Sequence, residues 1–217
     1  SRQVMANWMI QLADRYLGIL YDRLHEQLLR YHVLQADETP VKVSKDGRPA
    51  NSSSYMWIYR TGKYYKDTPI ILYEYQKTRS AEHPRRFLNG FEGLVVTDAY
   101  SAYAKLDRET DELSFAACWA HARRRFAEAE KVLPKEARKL APETIAHQAL
   151  IRIAAIYHLD QELTGLTPEK RCQKRKLMIQ PLVEAYFSWL KTIPLESVAS
   201  PKTKSGIQYS LNHQKTL

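Results

Sequence analysis

The period of the apolar residues changes along the chain, and those changes limit the possible folds more than any other feature. From about residue 4 to residue 30, Met5, Met9, Leu12, Tyr16, Leu20, Leu24 and Leu28 recur every three or four positions, the spacing of one helical face. Arg15, Asp22, Arg23 and Glu26 fall largely off that stripe. The stripe is expected to pack on the domain that follows rather than on a second copy, because no strict heptad is sustained. The pattern then becomes strand-like. Leu34 to Val43, Tyr55 to Tyr59 and Ile70 to Tyr75 are rich in β-branched and aromatic residues and read as three strands. Turn signals at Asp46-Gly47 and Thr61-Gly62-Lys63 separate them, so an antiparallel meander is expected. Pro40 falls within the first strand and requires a bulge or an open ladder there.

A helix is expected from about Ser80 to Asn89, with Ser80 as N-cap and Gly90 as stop. Leu94 to Thr97 is a short continuous apolar run, as in a strand buried on both faces. A short helix over Tyr100 to Leu106 and a strand over Phe115 to Trp119 follow. Beyond His121 only helical patterns remain: Ala122 to Val132, Pro142 to Glu162 and Pro168 to Leu190, punctuated by Pro134, Pro142, Pro181, Pro194 and Pro201. Helix, three strands, helix, strand, helix, strand and then helices alone is the order of a ribonuclease-H-like α/β domain, a mixed five-stranded sheet with flanking helices. The expected segments are an amphipathic helix over 1–32, the core over 33–132 and a helical region over 133–217.

Two carboxylates stand where this order gives them meaning. Asp37 ends the run Val33-Leu34-Gln35-Ala36, and Asp98 ends Leu94-Val95-Val96-Thr97. In the ribonuclease-H-like arrangement the first and fourth strands are neighbours, so their ends offer two carboxylates to one metal site. Mg²⁺ (or Mn²⁺) suits hard carboxylate oxygens completed by water and substrate phosphate, and paired ions support in-line phosphoryl transfer. A single aspartate at a strand end is commonly only a turn residue; the pair, with the strand order, makes the case. Glu38 adjoins Asp37, but alternation along a strand turns it to the opposite face, so it reads as structural or supporting. Tyr100 and Tyr103 read as packing residues before they read as a stacking surface for a nucleotide.

Cys118-Trp119-Ala120-His121 offers half a zinc site, but no second pair follows at suitable spacing. His121 is the candidate to orient a phosphate or water near the carboxylates. Arg123, Arg124 and Arg125 open a helix and are candidates for DNA-backbone contact, since guanidinium grips phosphate bidentately. Lys131, Lys135, Arg138 and Lys139, and then Lys170, Arg171, Lys174, Arg175 and Lys176, continue the basic character. The 217 residues carry a formal net charge of +9, which suits a polyanionic partner, nucleic acid first and an anionic membrane second. Two cysteines do not make a disulfide framework, and no apolar run reaches the length of a membrane span. A reducing, cytoplasmic setting is therefore expected.

The segments ADETPVKV, YMWIYR, RSAEHPRRFL, LVVTDAYSAY and CWAHARRRF occur in this order. In order and spacing they resemble a bacterial insertion-sequence transposase family, the transposase C type or IS-sixty-six family. The resemblance runs the length of the chain. It implies an Asp-Asp-Glu enzyme on a ribonuclease-H-like fold that cuts and joins mobile-element DNA with Mg²⁺ or Mn²⁺, with Asp37 as the first acid and Asp98 as the second. It implies that the helices after Arg123 are an insertion between the fifth strand and the helix bearing the glutamate. That glutamate follows a paired-asparagine motif absent here, so its place is beyond Leu217, and none of Glu162, Glu169 or Glu184 takes the role. Assembly into homo-oligomers is a further expectation of this type. Two other readings stand beside the enzyme: a non-catalytic DNA-binding or assembly module, and a nuclease of the same fold acting on RNA–DNA hybrids.

Overall fold

The computed structural model describes residues 1–43, 47–49, 51–65, 69–133 and 143–217. Asp46 of the first expected turn, Pro134, Pro142 and the basic residues Lys135, Arg138 and Lys139 lie outside the described residues. The chain divides into two compact units, Ser1–Ala116 and Ala117–Leu217. The division falls between Ala116 and Ala117, whereas the sequence pattern set it after residue 132.

In the first unit the elements are α1 (Arg2–Leu12), a π-helical turn (Ala13–Leu17), α2 (Gly18–Leu28), β1 (Val33–Val41), β2 (Ser54–Thr61), β3 (Ile71–Gln76), α3 (Glu82–Phe87), β4 (Gly93–Thr97), α4 (Ser101–Leu106) and β5 (Leu113–Ala117). The strands form one mixed sheet in the order β3-β2-β1-β4-β5. β1–β2 and β2–β3 are antiparallel, while β1–β4 is parallel with Val33, Leu34 and Gln35 level with Leu94, Val95 and Val96. Pro40 remains in β1, level with Tyr55 of β2. Among the described residues β1 pairs with β4 only from Val33 to Gln35, so the β4 side of β1 is open at Pro40. This suits a residue without an N–H.

The core of this unit gathers Leu28, Leu34, Ala36, Trp57, Tyr59, Phe87 and Val95. Tyr59 and Phe87 stack face to face, their ring centroids 3.6 Å apart. In β4, Val95 and Thr97 are buried while Leu94 and Val96 are half-buried, so this strand is less enclosed than its apolar run suggests. Gly93 enters β4 at φ 152°, and a Cβ there would lie 2.5 Å from the carbonyl oxygen of His32. Only glycine fits that approach.

The N-terminal helix departs from expectation. Met5, Met9 and Tyr16 are 63–65% exposed, and Trp8, Leu12 and Leu20 are exposed too. No residue of α1 is buried. Only the end of the stripe reaches the core, through Tyr21, Leu24 and the fully buried Leu28, with His25 Nε2 2.7 Å from the Phe87 carbonyl oxygen. Helical period shows that one face is apolar; it does not show what covers that face. Leu28→Ala should therefore destabilise the chain by about 2–5 kcal/mol, as a core truncation does. Met9→Gln should stay within about 0.5 kcal/mol of the parent. Denaturant unfolding of the two variants checks this; equal losses would mean that the whole stripe is packed.

The second unit is helical: α5 (Trp119–Lys131), α6 (Ile145–Glu162), α7 (Pro168–Lys174), a π-helical turn (Arg175–Ile179), α8 (Gln180–Lys191), a 3₁₀ turn (Leu195–Ser197) and α9 (Pro201–Asn212). Proline occupies the first turn of α7, α8 and α9, where a missing N–H costs nothing. Phe126, Ala129, Ala149, Ile153, Tyr186, Phe187, Leu190 and Ile207 form its main core. Gly206 brings α9 against α5 so closely that a Cβ would sit 2.8 Å from the Phe126 ring.

Candidate active site

The β1–β4 register positions the two aspartates. The parallel ladder ends at the pair Gln35 and Val96, and Asp37 and Asp98 each lie two residues beyond it. Asp98 is the first residue past β4. There the chain turns sharply, with Ala99 at φ 63°, a left-handed conformation that costs a non-glycine residue roughly 1–2 kcal/mol. Two side chains brace the turn. Thr97 Oγ1 accepts from the Ala99 N–H at 3.1 Å, and Asp98 Oδ1 accepts from the Tyr100 N–H at 2.8 Å. Asp37 Oδ1 accepts from the Glu38 N–H at 2.9 Å. Each aspartate thus uses one oxygen to hold its own backbone.

Glu38 lies on the same face of β1 as the buried Leu34 and Ala36, opposite Asp37, as alternation requires. Its side chain has no exposure at all. A carboxylate in that position needs partners, and it has two. Tyr103, itself buried, donates its hydroxyl to Glu38 Oε2 at 3.0 Å. Arg79 donates to Oε1 through Nε at 2.6 Å and also through Nη2. The same Nη2 reaches Asp98 Oδ2 at 2.9 Å. Tyr100 closes the other side, with its ring 3.8 Å from the guanidinium carbon and its hydroxyl donating to the Arg79 carbonyl at 3.1 Å. Burial pushes the Glu38 carboxyl above its ordinary value; the Asp98 charge adds to this, and Arg79 and Tyr103 oppose it. Burial, and then the Glu38 charge, push the Tyr103 hydroxyl well up.

The contacts therefore join Glu38, Arg79, Tyr103, Tyr100 and Asp98, with Asp37 next to Glu38 in β1. The sequence reading passed over Arg79. Its signal was indirect: an acidic residue at a core-facing strand position demands a buried cation or donor, and Arg79 opens the segment RSAEHPRRFL. Tyr100 has a definite task as the platform under Arg79, and Tyr103 adds a hydrogen bond to its packing.

The other candidates belong to the second unit. His121 is half-buried in the first turn of α5, not at a strand end. Arg123 and Arg124 are exposed on α5. Arg125 is not placed like them: it is half-buried, its guanidinium carbon lies 4.3 Å from the Tyr209 ring centroid, and its buried Nε has no hydrogen-bond partner among the described residues. That geometry makes it a packing residue between α5 and α9. In the basic segment further on, Arg175 is paired with Asp160 at 2.6 Å.

Among the described residues, no group of three or more His, Cys, Asp or Glu side chains is placed to hold a metal ion. Asp37 within β1 and Asp98 just past the end of β4 offer two hard carboxylates, a donor set that fits Mg²⁺ completed by water and substrate phosphate. No helix among the described residues is long and apolar enough to cross a membrane.

Comparison with known proteins adds the family. The chain is 28% identical, over its whole length, to the uncharacterized protein y4qI of Sinorhizobium fredii (strain NBRC 101917 / NGR234), and covers 40% of that protein. It is 26% identical over 97% of its length to the uncharacterized protein y4jD of the same organism, covering 43% of it. The chain thus spans less than half the length of these relatives. No solved structure matches it. The family described as Transposase IS66 family matches residues 1–217, and the chain belongs to that family.

Proposed function

We propose that the chain is the carboxylate-bearing part of a DNA transposase of the Asp-Asp-Glu type, on a ribonuclease-H-like core, with Asp37 and Asp98 as its first two acids. The observation that carries this reading is the parallel β1–β4 pair, with Asp37 and Asp98 each two residues beyond its last paired residues, in a chain of the IS66 family. The strand order, with β1 central, antiparallel to β2 and parallel to β4, supports it. Asp37 and Asp98 would hold Mg²⁺ or Mn²⁺, which when bound supplies charge stabilisation at the transferring phosphate. Two carboxylates alone bind the ion weakly and give little or no strand cleavage. The exposed Arg123 and Arg124 supply backbone contact to DNA ends and target, with the net charge of +9 favouring the encounter.

Titration of Mn²⁺ or Mg²⁺ into the chain, followed by NMR at Asp37 and Asp98, tests this. Millimolar ion should shift or broaden both carboxylate signals, and Asp98→Asn should remove the effect. No response at either aspartate would put the non-catalytic DNA-binding or assembly module ahead.

A further inference from the structure

Arg79 stands where a cation is wanted, and its two ends are held unequally. On the Glu38 side it makes two contacts, through Nε and Nη2, to a carboxylate with no exposure. On the Asp98 side it makes one, through Nη2, to a carboxylate that is 20% exposed. The Arg79 side chain is 34% exposed, and its guanidinium lies against the Tyr100 ring. Breaking the Glu38 end would strand a buried carboxylate, whereas the Asp98 end opens onto solvent and can be replaced by water or another cation. Asp98 Oδ1 accepts from the Tyr100 N–H and Oδ2 from Arg79, so an ion that takes Oδ2 competes with Arg79 for it.

We propose that Arg79 is a positioning residue, the built-in counter-cation of the carboxylate site: anchored on Glu38, it neutralises and orients Asp98, and it releases Asp98 Oδ2 when a divalent ion binds. The inference rests on the reading of Asp98 as a metal ligand. It gives Glu38 a task that strand alternation alone does not: it holds Arg79 in place and does not ligate the ion. Nearby like charge and direct competition for one oxygen both act against the ion, so the ordering of affinities follows from electrostatics. With Arg79 and Glu38 both neutral the summed charge is unchanged, but the competition of Arg79 for Oδ2 is removed. With Glu38 alone neutral, an anion is lost and Arg79 is left to Asp98.

The test is Mn²⁺ affinity of the chain without DNA, by electron paramagnetic resonance of free Mn²⁺, in four forms: parent, Asp98→Asn, Glu38→Gln, and Glu38→Gln with Arg79→Gln. The double variant keeps hydrogen-bonding groups at both positions, so the fold is retained where Arg79→Gln alone would strand Glu38. The expected result is Asp98-dependent binding in the parent, about tenfold tighter in the double variant and weaker in Glu38→Gln. Asp98-dependent binding that is equal or weaker in the double variant would overturn the role of Arg79 and leave the proposed function standing. No Asp98-dependent binding in any form would overturn both.

Discussion

An Asp98→Asn chain, extended to the length of its relatives, should lose DNA strand cleavage by at least about a thousandfold while still binding DNA and folding normally. The charge stabilisation supplied through a carboxylate-held ion is worth several kcal/mol, and each 1.4 kcal/mol or so is a factor of ten in rate. The substitution is close to isosteric, and asparagine Oδ1 still accepts the Tyr100 N–H, so the turn at Ala99 persists. Arg79 loses one partner and keeps Glu38. DNA retention should not fall, because a negative charge is removed. Asp37→Asn should behave alike, since its Oδ1 contact to the Glu38 N–H survives. Nicking of a supercoiled plasmid in Mg²⁺, with DNA retention measured in parallel, separates the outcomes: cleavage that persists in both variants would remove Asp37 and Asp98 from the chemistry.

Legibility in the sequence followed the range of the interaction. The sequence showed that each aspartate closes an apolar run but not where its strand ends, since Asp37 lies within β1 and Asp98 just past β4; the face of Glu38 was readable because alternation is local. Pro40 was readable as a place where the ladder opens. The bond from Arg79 to Glu38 spans 41 positions, and no periodicity encodes which arginine answers a buried carboxylate. The N-terminal stripe shows the same limit from the other side: Met5 and Leu28 share one pattern, yet Met5 is 65% exposed and Leu28 is fully buried. Helix α5 was predicted as a helix, but Phe126 and Ala129 pack with Ala149 and Ile207, so it belongs with the helices that follow. Helix α9 was not singled out at all. Its buried face is Thr203, Gly206, Ile207, Tyr209 and Ser210, small and polar enough to hide from an apolar count. Ser210 is satisfied internally, paired with Tyr186 and donating to the Gly206 carbonyl, each at 2.9 Å.

The second large effect is on stability. Arg79→Met should destabilise the fold by about 3 kcal/mol near pH 8, because removing the cation leaves the buried Glu38 carboxylate uncompensated; for a chain of this size that lowers Tm by roughly 10 °C. The cost depends on pH in a definite direction. The Glu38 carboxyl is already pushed up by burial and by Asp98, with Arg79 opposing, and without Arg79 it rises further. A carboxyl whose value is higher folded than unfolded favours the folded chain most below its unfolded value, and that contribution fades as pH climbs through the folded value. The Arg79→Met deficit should therefore be largest at pH 8 and shrink toward pH 5, as Glu38 takes up a proton and retains the Tyr103 hydroxyl as its partner. Adding Glu38→Gln to Arg79→Gln should recover most of the loss at pH 8, since no charge is left stranded. Thermal unfolding of these variants at pH 5 and pH 8 decides the matter. A deficit that is the same at both pH values and persists in the double variant would mean that Arg79 supports the fold through packing on Tyr100, not through the charge of Glu38.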